Sequence, residues 1–189
     1  MSNLIQVFEN SLSHRVCDNL INRFENDINI SKGRTIGGYN KAKITVDLTF
    51  STTINTYLLE YNNVINNILV KYISEYKKIT NNNLPINLTT NSHMIMRYLK
   101  NEGIYKFHND FHAAQYKENG ECRILTYLFY LNTIDIGGET EFIDGTKIKP
   151  EKGKLLIFPA TWTYIHKGNI PESSNKYILT GWLLHKSLN

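Results

Sequence analysis

The sequence predicts a mainly β protein with N-terminal α, a double-stranded β-helix (jelly roll, cupin-like) core braced by two helices. Three observations predict it. Apolar positions at helical spacing are confined to the first eighty residues, the chain turns β-rich after a break at Asn81 to Pro85, and the remainder carries short apolar runs separated by turns. A length of 189 residues, 41% hydrophobic and 20% charged, suits one domain with a real core. The expected unit is 1–189, with 1–90 as helical support and a lid loop and 91–189 as the jelly-roll core.

Leu12, Val16, Leu20, Ile21, Phe24 and Ile28 fall on one helix face, with Ser11 or Ser13 as N-cap, which predicts a helix over about residues 12–27. A second helical series runs Tyr57, Tyr61, Val64, Ile65, Ile68, Leu69, Tyr72, Ile73 and Tyr76, with Asn, Glu and Lys between. Between the helices, Ser31 to Asn40 has three glycines and no periodicity and reads as a loop, while Ile44, Val46, Leu48 and Phe50 alternate like a strand. The later strands are Met94 to Leu99, Ile124 to Leu131, Glu139 to Ile143, Leu155 to Phe158 and Tyr177 to Leu184. Turns at Ile136-Gly137-Gly138, Asp144-Gly145 and Pro150 to Gly153 separate them.

Composition excludes several classes. No stretch approaches the roughly 18–20 apolar residues of a membrane helix, and the N-terminus lacks the order of a secretory signal. The expectation is a soluble protein, cytoplasmic or otherwise intracellular, with no membrane partner. Cys17 and Cys122 sit in no CxxC or Cys/His cluster and read as reduced thiols. The net charge of +4 is spread along the chain and only five of the 21 basic residues are Arg, which argues against a nucleic-acid partner.

His108 and Asp110 stand two apart beside a strand starting near Tyr105, so in extended conformation both point to one face. Two such ligands and a distant histidine make the 2-His-1-carboxylate facial triad, which leaves three positions of an octahedral Fe(II) open. An HxD pair alone is a weak signal. Of the later histidines, His166 follows the strand-like run Leu155 to Phe158, whereas His185 lies almost at the terminus, so His166 is the better third ligand. His112 would share the face if the strand continued, but three ligands already suffice. His14, His93 and His185 read as surface or core residues, and Trp162 as packing near the His166 loop. Ten positions after His166, Lys176 opens the last strand, and a cation buried beside a metal needs an anionic partner.

In this order, His108-x-Asp110, His166 and Lys176 resemble the signature of the Fe(II)/2-oxoglutarate-dependent dioxygenases of the prolyl 4-hydroxylase-like kind. The likeness extends through Tyr98 to Tyr105, Arg123-Ile-Leu-Thr126, Tyr130-Leu131-Asn132, Gly137-Gly138-Glu139-Thr140-x-Phe142 and Pro150-x-Lys152-Gly153, over roughly Met94 to Leu184. Arg34-Thr35 and the glycines after it resemble the substrate-covering loop of some members. The resemblance implies an oxidoreductase that uses Fe(II), 2-oxoglutarate and O2, with ascorbate as reductant, and that hydroxylates a prolyl residue of a protein or peptide while 2-oxoglutarate becomes succinate and CO2.

By the same resemblance, His108, Asp110 and His166 are metal ligands and Lys176 pairs with the far carboxylate of 2-oxoglutarate. Tyr130 and Thr180 support that carboxylate or its waters, Leu128 packs on the carbon chain, and Tyr98 reaches the iron-side end. Tyr105, Arg123 and Trp182 line the substrate side. Lys at 176 matches collagen-type prolyl 4-hydroxylases, where oxygen-sensing prolyl hydroxylases and lysyl hydroxylases generally carry Arg. The absence of any Arg after Arg123 argues against the paired arginines of nucleic-acid demethylases. Three alternatives stay open: a lysyl, free amino acid or small-molecule hydroxylase on the same scaffold, a catalytically inactive jelly-roll binding module, and a zinc hydrolase, the last disfavoured by the donor set.

Overall fold

The computed structural model describes residues 4–35, 37–51, 59–85, 87–111 and 120–186. In chain order these form β1 (Gln6–Phe8), α1 (His14–Glu25), β2 (Ser31–Lys32), β3 (Lys43–Ile44), β4 (Val46–Ser51), α2 (Leu59–Ile79), β5 (Ser92–Tyr98), β6 (Ile104–His108), β7 (Glu121–Tyr130), β8 (Thr140–Phe142), β9 (Lys147–Ile148), β10 (Leu155–Pro159), β11 (His166–Gly168) and β12 (Lys176–Lys186). Tyr57 of the second helical series lies outside the described residues.

The strands make two antiparallel sheets. The larger has the order β1-β10-β7-β12-β5-β4-β2 and the smaller the order β3-β6-β11-β8-β9. The two longest strands, β7 and β12, lie side by side in the larger sheet, and both faces of that sheet are covered. One face carries the main core, in which Leu125, Tyr127 and Phe129 of β7, Leu179 and Leu183 of β12 and Ile95 of β5 meet Cys17, Leu20 and Phe24 of α1 and Ile65 and Leu69 of α2. Alternate residues of the same strands meet a second cluster between the sheets, with Met96, Tyr98, Leu128, Tyr130 and Ile178 against Phe142 and Phe158.

Ser13 caps α1, its side chain accepting from the Val16 amide at 3.4 Å. Tyr76 of α2 ties the helix to the N-terminal segment by donating to the Leu4 carbonyl at 2.8 Å. The stretch from 31 to 50 is only partly loop. Ser31–Lys32 pairs with β4, Lys43–Ile44 pairs with β6 of the smaller sheet and Val46–Ser51 pairs with β5 of the larger. A chain passing directly from one sheet to the other therefore walls one side of the space between them.

Behind that space, Gly181 of β12 leaves room for the Tyr127 hydroxyl, which bonds to His93 Nδ1 at 2.6 Å. A Cβ at 181 would collide with that hydroxyl and approach the Ser92 carbonyl to 2.9 Å. Gly181→Ala is expected to destabilise by about 1–3 kcal/mol, read as a fall in Tm of several degrees on thermal unfolding.

Candidate metal centre and its cavity

Strand alternation on the larger sheet builds the cavity wall in rows. Lys176 lies opposite Tyr98; Ile178 lies between Met96 and Tyr130; Thr180 lies between Met94 and Leu128; Trp182 lies opposite Thr126. Successive rows are two residues, roughly 7 Å, apart along the strands. All but Tyr130 line a cavity of about 250 Å³ that also takes in His108, Asp110 and His166. The wall thus runs from a buried ammonium at one end to Trp182 and Thr126 at the other.

The smaller sheet brings the two histidines together. His166 of β11 pairs directly with His108 of β6, whereas Gly168 pairs with Tyr105, so three steps on β6 oppose two on β11. That bulge at Lys106 and Phe107 puts Tyr105 and His108 on the same face despite their odd spacing. Their rings stack, with centroids 3.5 Å apart and planes 12° off parallel. Asp110 follows two residues beyond the end of β6 rather than within it, as the sequence pattern expected.

The donor atoms of His108, Asp110 and His166 all lie within 4.8 Å of one another. His108 Nε2 is 3.8 Å from one oxygen of Asp110, and His166 Nε2 is 3.8 Å from the other. Each histidine uses its Nδ1 on a backbone carbonyl, His108 on Lys106 at 2.8 Å and His166 on Tyr164 at 3.0 Å. A carbonyl only accepts, so Nδ1 carries the hydrogen and Nε2 is left as a lone-pair donor facing the carboxylate. Burial, and next the neighbouring His166, push His108 down to about 4, which keeps it neutral and able to ligate. Burial acts to raise the Asp110 carboxyl, but His166, His108 and the Thr126 hydroxyl together outweigh it and hold the group below its ordinary range. Two imidazole nitrogens and one carboxylate suit Fe(II) with open positions better than a closed zinc site.

Thr126 donates to Asp110 Oδ2 at 2.7 Å and fixes the carboxylate plane. Thr126→Val is expected to weaken metal affinity by about 10–100-fold while leaving the fold intact, measured by metal titration beside circular dichroism. This residue was readable only as part of a motif. Its placement two before Leu128 on a continuous strand carries the signal for its inward face.

Lys176 is 1% exposed. Its ammonium donates to the Gly138 carbonyl at 2.8 Å and sits 3.9 Å from the centroid of the Tyr98 ring. Gly137 and Gly138 both have positive φ, +72° and +75°, and this turn presents the Gly138 carbonyl to the lysine. Burial lowers the Lys176 pKa to about 7, with Glu139 pulling it back up. Among the described residues no carboxylate comes within ion-pair distance of it, so a buried cation faces the cavity without an anion. An acidic ligand fits that end of the cavity.

The other expected residues divide. Leu128 and Thr180 line the cavity, although the Thr180 hydroxyl donates to the Tyr127 carbonyl at 2.8 Å. Tyr130 is fully buried, and its hydroxyl donates to Thr140 at 2.7 Å; Thr140, not Tyr130, lines the cavity. Tyr98 stands in the Lys176 row, and its phenol end reaches across to Gly168, two residues from His166. Arg123 lies 3.6 Å over the Trp182 ring and donates to the Asp110 carbonyl at 3.3 Å. Arg123 Nε and Trp182 Nε1 are buried with no hydrogen-bond partner. His112 lies outside the described residues. Trp162 is 66% exposed and does not pack on the His166 loop as expected, because its side chain stands out on the turn between β10 and β11. His93 is a core residue on the far face of β5, and His14 is on the surface.

Comparisons with known proteins point the same way. Residues 93–184 match the family model of the 2OG-Fe(II) oxygenase superfamily. No curated protein sequence matches the chain. Viral collagen prolyl hydroxylase from Paramecium Bursaria Chlorella virus-1, solved with 2OG, has TM-score 0.70 and 22% identity, each chain covered to 96%. A Pseudomonas putida prolyl-4-hydroxylase has TM-score 0.70 and 14% identity, with 97% of this chain and 94% of that one covered. A Trichoplax adhaerens prolyl hydroxylase, solved with a hypoxia inducible factor oxygen degradation domain peptide fragment, has TM-score 0.71 and 19% identity, covering 96% of this chain and 84% of that one. These likenesses in structure establish the shared fold.

Proposed function

We propose that the chain, whose residues 93–184 match the 2OG-Fe(II) oxygenase superfamily, is a dioxygenase of the prolyl-hydroxylase-like kind and hydroxylates a prolyl residue of a protein or peptide. The observation that carries this reading is a single cavity holding three convergent metal donors and, farther along the same wall, a buried lysine without an anion. In it, His108, Asp110 and His166 hold Fe(II), and Lys176 receives the far carboxylate of 2-oxoglutarate. When bound, the ion and cosubstrate supply the chemistry that splits O2 between a hydroxylated product and succinate, with release of CO2 and ascorbate as the auxiliary reductant.

The chain's own residues then do four things. Thr126 orients Asp110, and the backbone carbonyls of Lys106 and Tyr164 orient the two histidines. Leu128, Met96 and Ile178 dry the stretch between lysine and metal. Tyr98 and Gly138 hold the Lys176 ammonium, and Thr140, itself held by Tyr130, offers a hydroxyl nearby. Tyr105, Arg123 and Trp182 line the substrate side of the cavity, the aromatic rings offering flat apolar contact and the Arg123 guanidinium, stacked on Trp182, a fixed donor to a substrate carbonyl. Chain 1–189 works as one domain in this reading, its first ninety residues bracing the sheet and walling the cavity.

A proline-containing peptide pool incubated with the enzyme, Fe(II) and 2-oxoglutarate is expected to gain one oxygen on proline, with succinate formed in equal amount. A gain confined to lysyl residues or to free amino acids would replace the prolyl assignment. Absence of succinate with every substrate would remove the oxygenase reading.

A further inference from the structure

Residues 31–43 hold four cations, Lys32, Arg34, Lys41 and Lys43, and no carboxylate. The fold gathers them on one side of the metal cavity. Arg34 and Lys43 line that cavity, while Lys32, Lys41 and Lys43 line an adjoining open hollow of about 450 Å³. The two spaces therefore meet at Lys43.

Lys43 is already neutralised. Its ammonium is buried, pairs with Asp47 at 2.7 Å and donates to the Arg34 carbonyl at 3.3 Å. Asp47 is held in turn by the Thr45 hydroxyl at 2.7 Å. This internal pair pins the loop, and Thr35 and Gly38 close its tip with backbone bonds of 3.0 and 2.9 Å. Arg34 is thereby held at the mouth, its guanidinium 4.3 Å over the Tyr39 ring. Lys32, Arg34 and Lys41 are exposed, and among the described residues none makes an ion pair. Glu102 is the carboxylate facing the hollow, set against Lys32 and Lys41.

We propose that this pinned loop recognises an acidic segment beside the target residue of a peptide substrate, with Arg34 at the cavity mouth and Lys32 and Lys41 along the hollow. The inference rests on the peptide reading above and adds the charge of the partner. A held guanidinium without a carboxylate loses less freedom on pairing than a free surface lysine, and opposite charge at a rim raises the rate of encounter. The hollow is a concave seat with an apolar floor of Ile44 and Val46, suited to a side chain and its backbone. A nucleic-acid backbone calls instead for a stripe of basic residues that tracks successive phosphates.

The test is fluorescence anisotropy with labelled proline-centred peptide pools in three versions, with Asp/Glu, Asn/Gln or Lys at the flanking positions. It needs no turnover, so it decides the charge question separately from succinate formation, which decides the function. The acidic pool is expected to bind about five- to tenfold tighter than the amide pool at low salt, with the Lys pool weakest. The preference should shrink at high salt. In Lys32→Gln/Arg34→Gln/Lys41→Gln the acidic-to-amide ratio should fall to near one, and in Lys32→Glu/Arg34→Glu/Lys41→Glu the Lys pool should overtake the acidic pool. Equal binding of the three pools by the natural protein overturns the proposal. So does a variant ratio unchanged from the natural one, or a single-stranded oligonucleotide that binds tighter than the acidic pool.

Discussion

Asp110→Ala is expected to abolish Fe(II) binding at micromolar metal and to lower turnover by about a thousandfold or more. Asp110 is the only carboxylate lining the cavity among the described residues. Its two oxygens face the two histidine Nε2 atoms at 3.8 Å each, so its removal takes away the one anionic donor and the geometric centre of the group. Metal analysis of protein loaded without oxygen, set beside succinate formation, checks both parts. A structural role alone would change Tm and leave iron at one per chain. His108→Ala should give the same double loss, which separates a catalyst from a jelly-roll binder that keeps its partner without the metal.

Lys176→Met is expected to raise the apparent Kd for 2-oxoglutarate by about a hundredfold while raising Tm. The two effects have opposite sign for one reason. Folding buries the ammonium with only the Gly138 carbonyl and the Tyr98 ring for company. The fall of its pKa from 10.5 to about 7 corresponds to a cost on the order of 5 kcal/mol at neutral pH. A thioether of similar length avoids that cost and leaves the incoming carboxylate without its cation. The folded protein binds fewer protons at Lys176 than the unfolded chain between pH 7 and 10.5, so its contribution to stability rises with pH across that window.

Binding of a carboxylate reverses this by favouring the ammonium. The Kd for 2-oxoglutarate should therefore be flat below about pH 7 and rise toward tenfold per pH unit above it. Isothermal titration in buffers of different ionisation enthalpy should show proton uptake on binding above that pH. Lys176→Met should show neither the pH dependence nor the uptake.

Where alternation governs, the sequence was legible. Lys176, Ile178, Thr180 and Trp182 occupy every second position of one strand, and a residue known to face the cavity fixes its neighbours at two and four. Both helices were legible because each buries a single stripe, Cys17, Leu20 and Phe24 in one and Ile65 and Leu69 in the other. The smaller sheet was harder to read. Its strands are two to five residues long, and the bulge at Lys106 and Phe107 breaks the alternation that would relate Tyr105 to His108. Strand β1 has only three residues and pairs with β10 about 150 positions away, a contact with no local trace. Tyr130 follows the alternation, yet its hydroxyl is taken by Thr140, because a buried phenol needs a partner and the nearest one lay across the sheets. Hydrogen-bond partners of this kind are set by how the two sheets pack, even between residues only ten apart in the chain.

The most direct test of the central claim is isotope incorporation with 18O2, Fe(II), 2-oxoglutarate and a proline-containing peptide pool, read by mass spectrometry. The account predicts one labelled oxygen on proline and one in succinate, in equal amounts, with both lost in Asp110→Ala. Peptide left unlabelled by iron-loaded natural protein, or label that persists in Asp110→Ala, would contradict it.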